Sequence, residues 1–155
     1  MSSTGAVRVR LLVIDDDPDL WEVVRALTSG HPVVDVMATA ATPEEGLAIT
    51  RESEPDAILL DHHFEPDPFE GEPSPDTPRV LRGLSGLEAV EFLRASAPNA
   101  VIAVYTGVPG LNESAEHAGA DLYVLKGPNL REVLDDLAAR AIEKRADAQR
   151  DGKGH

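Results

Sequence analysis

Short apolar runs alternate with amphipathic stretches along most of the chain. Residues 9–14 are apolar except for Arg10 and read as a buried strand. Pro18 opens a helix with Leu20, Val23, Val24 and Leu27 on one face, and Gly30 with Pro32 stops it. A second strand over 33–38 has only Asp35 polar, and a helix over 43–54 ends before Pro55. A third strand, 57–60, runs into Asp61. Helical spacing returns over 84–97 through Leu87, Val90 and Leu93. A fourth strand covers 100–105, a short helix 112–118 ends at Gly119, and a fifth strand covers 122–125. In the last helix, 130–146, Leu130, Val133, Leu134, Leu137, Ala138 and Ala141 recur at helical spacing, and 147–155 read as a frayed tail.

Strands that are apolar almost throughout belong to a sheet covered on both faces. Five of them alternating with helices predict an α/β fold. It is a doubly wound five-stranded parallel sheet, flavodoxin-like, in strand order 2-1-3-4-5. The expected organisation is one domain over 9–146, behind an N-terminal extension of residues 1–8. One segment resists this pattern. Residues 62–85 hold five of the 12 prolines and a run of acids, with no periodicity. A loop so long is generally functional or disordered. It reads as a solvated insertion, a lid over the site or a docking segment. Phe64 and Phe69 are possible anchors, and Val80, Leu81 and Leu84 with Arg79 and Arg82 suit a short helix.

Composition narrows the classes. At 155 residues, 42% hydrophobic and 27% charged, the chain is an ordinary globular domain with no cysteine for thiol chemistry or disulfides. A net charge of −14 argues against direct nucleic-acid binding and against an anionic membrane surface. No apolar run reaches membrane-spanning length and no signal-peptide pattern opens the chain, so a cytoplasmic protein is expected.

Ligands of such sheets sit beyond the carboxyl ends of the strands. There the sequence delivers Asp15, Asp16 and Asp17 after the first strand, Asp61 after the third, Thr106 after the fourth and Lys126 after the fifth. In the expected strand order these groups converge. Clustered carboxylates repel one another, and a divalent cation and an ammonium relieve that repulsion. Mg²⁺ suits one or two carboxylates plus a phosphoryl oxygen. Asp61 could then attack phosphorus, with Lys126 and Thr106 on the phosphoryl oxygens. Asp17, just before Pro18, is better read as a helix cap.

Five segments carry a resemblance. They are Leu11-Leu12-Val13-Ile14-Asp15-Asp16-Asp17-Pro18, Asp56-Ala57-Ile58-Leu59-Leu60-Asp61, Ser85-Gly86-Leu87-Glu88, Val104-Tyr105-Thr106-Gly107, and Gly119-Ala120-Asp121-Leu122-Tyr123-Val124-Leu125-Lys126. In this order and spacing the chain resembles a response-regulator receiver domain, the CheY-like module of two-component signalling. The resemblance implies that Asp15, Asp16 and Asp61 hold Mg²⁺, with the His63 backbone carbonyl as a further ligand. It implies that Asp61 is the phospho-acceptor and that Thr106 and Lys126 bind the phosphoryl group. It also implies that Tyr123 is a rotating switch aromatic, although Tyr123 equally suits a packed strand position. A histidine kinase or phosphotransfer protein would be the donor and a downstream protein the recipient of the signal. The state would be a monomer or a weak dimer. Such a domain is not an enzyme beyond its own phosphorylation and dephosphorylation. The sequence departs from the family in its loop at 62–85 and in Gly127, which separates Lys126 from Pro128. Only a tail follows the last helix, so a stand-alone receiver is expected.

Other readings compete. A receiver-like interaction module that no longer uses phosphate would explain the loop and the altered turn, but Asp15, Asp16, Asp61, Thr106 and Lys126 are all present. A phosphatase resembling the haloacid-dehalogenase superfamily would use Asp15 and Asp17. It lacks a later acidic motif at a strand end, since Asp135 and Asp136 fall inside the last helix, and it leaves Asp61 idle. His62 and His63 invite a zinc reading, but His31, His117 and His155 are scattered and form no second pair. His63 is better placed to alter the lifetime of a phosphoryl group on Asp61.

Overall fold

In the computed structural model, which describes residues 8–61 and 86–153, β1 (Val9–Ile14) is an interior strand of the sheet. Its side chains alternate between two faces, and both faces are covered. α1 (Pro18–Ser29) follows, then β2 (Val34–Ala40), α2 (Pro43–Ser53), β3 (Ala57–Leu60), α3 (Gly86–Ser96), β4 (Val101–Thr106), α4 (Asn112–Ala118), β5 (Leu122–Leu125) and α5 (Leu130–Lys153). The five strands are parallel in the order β2-β1-β3-β4-β5, as the sequence predicts.

One face buries Val9, Leu11 and Val13 of β1 with Leu59, Ala103 and Tyr105 beneath α1 and α5. The other buries Leu12 and Ile14 with Ile58, Leu60, Ile102 and Val104 beneath α2, α3 and α4. This division explains why the strands carry almost no polar residues.

Local chemistry sets the helix starts. Asp17 caps α1, its carboxylate accepting from the Asp19 N–H at 3.0 Å. Thr42 and Glu45 form a variant of the capping box at α2: the Thr42 hydroxyl accepts from the Glu45 N–H, and the Glu45 carboxylate from the N–H of Ala41, one residue before the cap. Ser/Thr-x-x-Glu at 42–45 is the signal for this box in the sequence.

Three expectations need correction. β2 runs to Ala40, beyond residue 38, because the pairing with β1 shifts between Leu11 and Leu12 and takes in one extra residue. In α1, Val23 is exposed, and the buried stripe runs instead through Leu20, Trp21, Val24 and Leu27. α5 continues through 147–153, inside the 147–155 stretch that reads as a frayed tail. No glycine or proline interrupts it before Gly152, and the side chains of 144–148 are good helix formers apart from Asp147. Just before that stretch, two ion pairs join the helix to residues at the amino ends of β5 and β3. Lys144 pairs with Asp121 at 3.0 Å and Arg145 with Asp56 at 2.8 Å.

Asp121 is the knot at the amino end of β5. Its carboxylate accepts from Arg94 at 2.6 Å, from the Ile102 N–H at 2.9 Å and from Lys144 at 3.0 Å. Burial works against its charge, but these donors prevail and hold the carboxyl below its ordinary value of 3.8. The depressed folded-state value makes its stabilisation complete above 3.8 and lost as pH falls through the lower value. Asp121→Ala should therefore cost about 2 kcal/mol at neutral pH, the scale of hydrogen bonds to a charged group, and remove that part of the acid sensitivity. Urea midpoints at neutral and acid pH measure both.

Gly46 marks a close approach of α2 to β1. A Cβ there would collide with Ile14 Cδ1, in a side chain that is fully buried. Gly46→Ala gains helix propensity but forces that contact apart, for a net loss of about 1–2 kcal/mol by urea denaturation.

Candidate functional site

The parallel register brings the carboxyl ends of β1, β3, β4 and β5 to one edge. Ile14 pairs with Leu60, and the Asp61 N–H donates to the Ile14 carbonyl at 2.9 Å, so Asp15 and Asp61 leave the sheet side by side. Thr106 ends β4, and its carbonyl accepts from the Lys126 N–H at 2.8 Å. Asp15, Asp61 and Thr106 are buried, whereas Asp16 is exposed.

Carboxylate oxygens of Asp15, Asp16 and Asp61 all lie within 4.8 Å of one another. Lys126 reaches into the cluster from the far strand. Its Nζ is 2.9 Å from Asp15 Oδ2 and 3.4 Å from Asp61 Oδ2. Asp15 also accepts from the Asp17 N–H at 3.0 Å. Burial, and then the charge of Asp61, still push the Asp15 carboxyl above its ordinary value, despite Lys126 and that N–H. For Lys126, burial pulls the other way, but the two carboxylates overcome it and raise the ammonium above 10.5. The two shifts look contradictory for one ion pair. They agree because burial raises Asp15 by more than Lys126 and the Asp17 N–H lower it, whereas two carboxylates act together on the one ammonium. Such a set of hard oxygen donors, three carboxylates against one ammonium and open at Asp16, fits a small divalent cation.

Two switch candidates flank this cluster. The Thr106 hydroxyl accepts from the Val108 N–H at 3.3 Å. The Tyr123 hydroxyl donates to the Val108 carbonyl and accepts from the Leu111 N–H. Its ring is half-buried against the α2–α4 face of the core, so Tyr123 is packed and also latched to the loop that follows Thr106. Asp17 is occupied as the α1 cap. His62, His63 and the 62–85 insertion lie outside the described residues.

One contributor was missed in the sequence. The Trp21 indole N–H donates to the Asp15 carbonyl at 2.7 Å, tying α1 to the acidic turn. Its place one turn into a helix that starts at the site was the available signal, but its spacing alone reads as simple packing. Trp21 is the chain's single tryptophan. Adding Mg²⁺ should therefore change its emission, and Asp15→Asn should abolish most of that change in a fluorescence titration.

No family model matches the chain. It is 30% identical over 130 residues to the nitrate/nitrite response regulator protein NarL of Escherichia coli, covering 82% of this chain and 52% of the relative. The chain spans about half the length of the curated relatives it matches. Among solved structures, a CheY-like receiver domain protein from Methanospirillum hungatei superposes with a TM-score of 0.68 at 24% identity, over 90% of this chain and 98% of that one. A response regulator from Burkholderia pseudomallei, solved with a phosphorylated aspartic acid, a calcium ion and citrate, has a TM-score of 0.64 at 26% identity, over 90% and 72%. Fold, converging carboxylates and relatives define the class together: the chain is a receiver domain of the response-regulator family. No helix among the described residues is long and apolar enough to cross a membrane.

Proposed function

We propose that this domain takes a phosphoryl group onto Asp61 in a Mg²⁺-dependent reaction and signals through a switch that runs from Thr106 to Tyr123. The setting of Asp61 carries this reading. It is a buried carboxylate beside Asp15 and Asp16, with the Lys126 ammonium 3.4 Å away.

The Asp61 carboxylate attacks phosphorus. An O–P bond forms, and the bond to the donor breaks with its electron pair leaving on the donor atom, an imidazole nitrogen or an acyl-phosphate oxygen. Asp15, Asp16 and Asp61 would hold the cation, which would neutralise charge on the phosphoryl oxygens. Lys126 moves from Asp15 toward a phosphoryl oxygen and stabilises it there. The Thr106 hydroxyl exchanges the Val108 N–H for another phosphoryl oxygen, to which it donates. That exchange disturbs the loop held by Tyr123, and the loop and aromatic shift population together. The donor is a histidine kinase or phosphotransfer protein, and the acidic surface favours a protein as the recipient of the signal. The chemistry is confined to loading and losing the group on Asp61, with no external substrate turned over.

A phosphatase of the haloacid-dehalogenase kind is disfavoured by particular residues. Asp17 caps α1, Asp135 accepts from His31, and Asp136 pairs with Arg140, so none of the three is held at the site.

Intact mass after incubation with acetyl phosphate and Mg²⁺ tests the proposal. One phosphoryl addition, abolished by EDTA, is expected. Folded protein with no addition would turn the assignment to an interaction module that works without phosphate.

A further inference from the structure

We propose that Tyr105 is a positioning residue for Lys126: its buried hydroxyl bridges both backbone groups of Gly127 and fixes the turn that aims the ammonium between Asp15 and Asp61. The inference rests on the role assigned to Lys126 above. β5 lies at the edge of the sheet, so its carboxyl end is supported by a neighbouring strand on one side only. The last ladder contact is the Lys126 N–H to the Thr106 carbonyl. Beyond it comes Gly127, which has the widest backbone freedom of any residue.

Tyr105 removes that freedom. Its hydroxyl donates to the Gly127 carbonyl at 3.1 Å and accepts from the Gly127 N–H at 3.3 Å. The ring is packed in the core with Leu130, Val133 and Val13, which gives the hydroxyl a fixed origin. Asn129 Oδ1 lies close to Gly127 but is buried with no hydrogen-bond partner among the described residues, so it does not take the Gly127 N–H from the Tyr105 hydroxyl.

The two tyrosines of the chain thus work crosswise. Tyr123 of β5 holds the loop after β4, and Tyr105 of β4 holds the turn after β5. Only the first was singled out from the sequence.

Tyr105→Phe keeps the ring and removes the bridge. A displacement of about 1 Å in a reacting group can cost about a hundredfold in rate, and the partial loosening expected here about tenfold. Phosphoryl uptake from acetyl phosphate should slow by that amount, while Mg²⁺ affinity, read from Trp21 emission, stays within about twofold. A second readout needs no phosphate. In ¹⁵N-lysine-labelled wild type, the hydrogen-bonded Lys126 ammonium should give a protected Nζ–H signal, which should broaden or vanish in Tyr105→Phe. An unchanged ammonium signal and uptake rate would overturn the inference. So would an uptake loss matched by equal losses of Mg²⁺ affinity and thermal stability, since that is general loosening. If wild type takes up no phosphoryl group, the functional reading falls by itself, and the ammonium signal still decides whether Tyr105 positions Lys126.

Discussion

Asp61→Asn should leave a folded domain that shows no phosphoryl addition by intact mass. The amide keeps the shape of the carboxylate but lacks the charged oxygen that attacks phosphorus. Circular dichroism and the thermal midpoint should stay near wild type or rise slightly. Asp61 is one of the charges that push Asp15 upward, so its loss relieves repulsion inside the cluster. The same relief weakens cation binding, because one of three converging carboxylates is gone. Mg²⁺ affinity should fall by at least about tenfold, the scale on which even outer-sphere changes act at metal sites. Continued single phosphorylation of Asp61→Asn would mean that another side chain is the acceptor.

Lys126→Met should move two measurements in opposite directions. The ammonium lies 2.9 Å from Asp15, where it competes with any cation for that carboxylate. Removing it should tighten Mg²⁺ binding by about tenfold, or about 1.4 kcal/mol. Phosphoryl uptake should nevertheless slow by at least about a hundredfold, the usual effect of deleting one donor to a developing oxyanion. The pH dependence follows from the shifts. A lysine raised in the folded state stabilises fully below its unfolded value near 10.5, and that stabilisation is lost as pH rises through the folded value. Lys126→Met should lack this alkaline component. Asp15 behaves oppositely to a paired surface acid. Its raised value means that ionisation costs stability, so acidification through that value toward 3.8 relieves the cost. The relief should be larger in Lys126→Met, where the ammonium no longer offsets the charge. Urea midpoints across pH, with and without Mg²⁺, test both signs. Equal weakening of Mg²⁺ binding and uptake would show that Lys126 is merely structural.

The fold was legible because its causes are local. An apolar run such as 57–60 can be buried on both faces only in a covered sheet, and the residue that breaks the run, Asp61, must then stand at the strand's end. The same reasoning placed Asp15, Thr106 and Lys126 at one edge before any contact was known. The Asp17 cap was legible too, since a carboxylate before Pro18 has few other uses there. The α5 extension was not, because 147–151 carries no apolar residue except alanine, and the helix continues there on propensity, with no breaker before Gly152. Periodicity reports apolar burial and is blind to a helical turn that buries nothing.

The site divides along the same line. The sequence by itself determined which groups meet: carboxylates at two neighbouring strand ends, a threonine and a lysine at the next two. Short-range pattern puts each group at a strand end, and the order β2-β1-β3-β4-β5 makes those ends neighbours. Only the tertiary structure decided how they are held. Trp21 grips the Asp15 carbonyl, Lys126 divides itself between two acids, and Tyr105 and Tyr123 cross to each other's loops. Each of these depends on where a side-chain tip arrives after two elements have packed. That position is set by the sum of many core contacts, and no local stretch of sequence contains it.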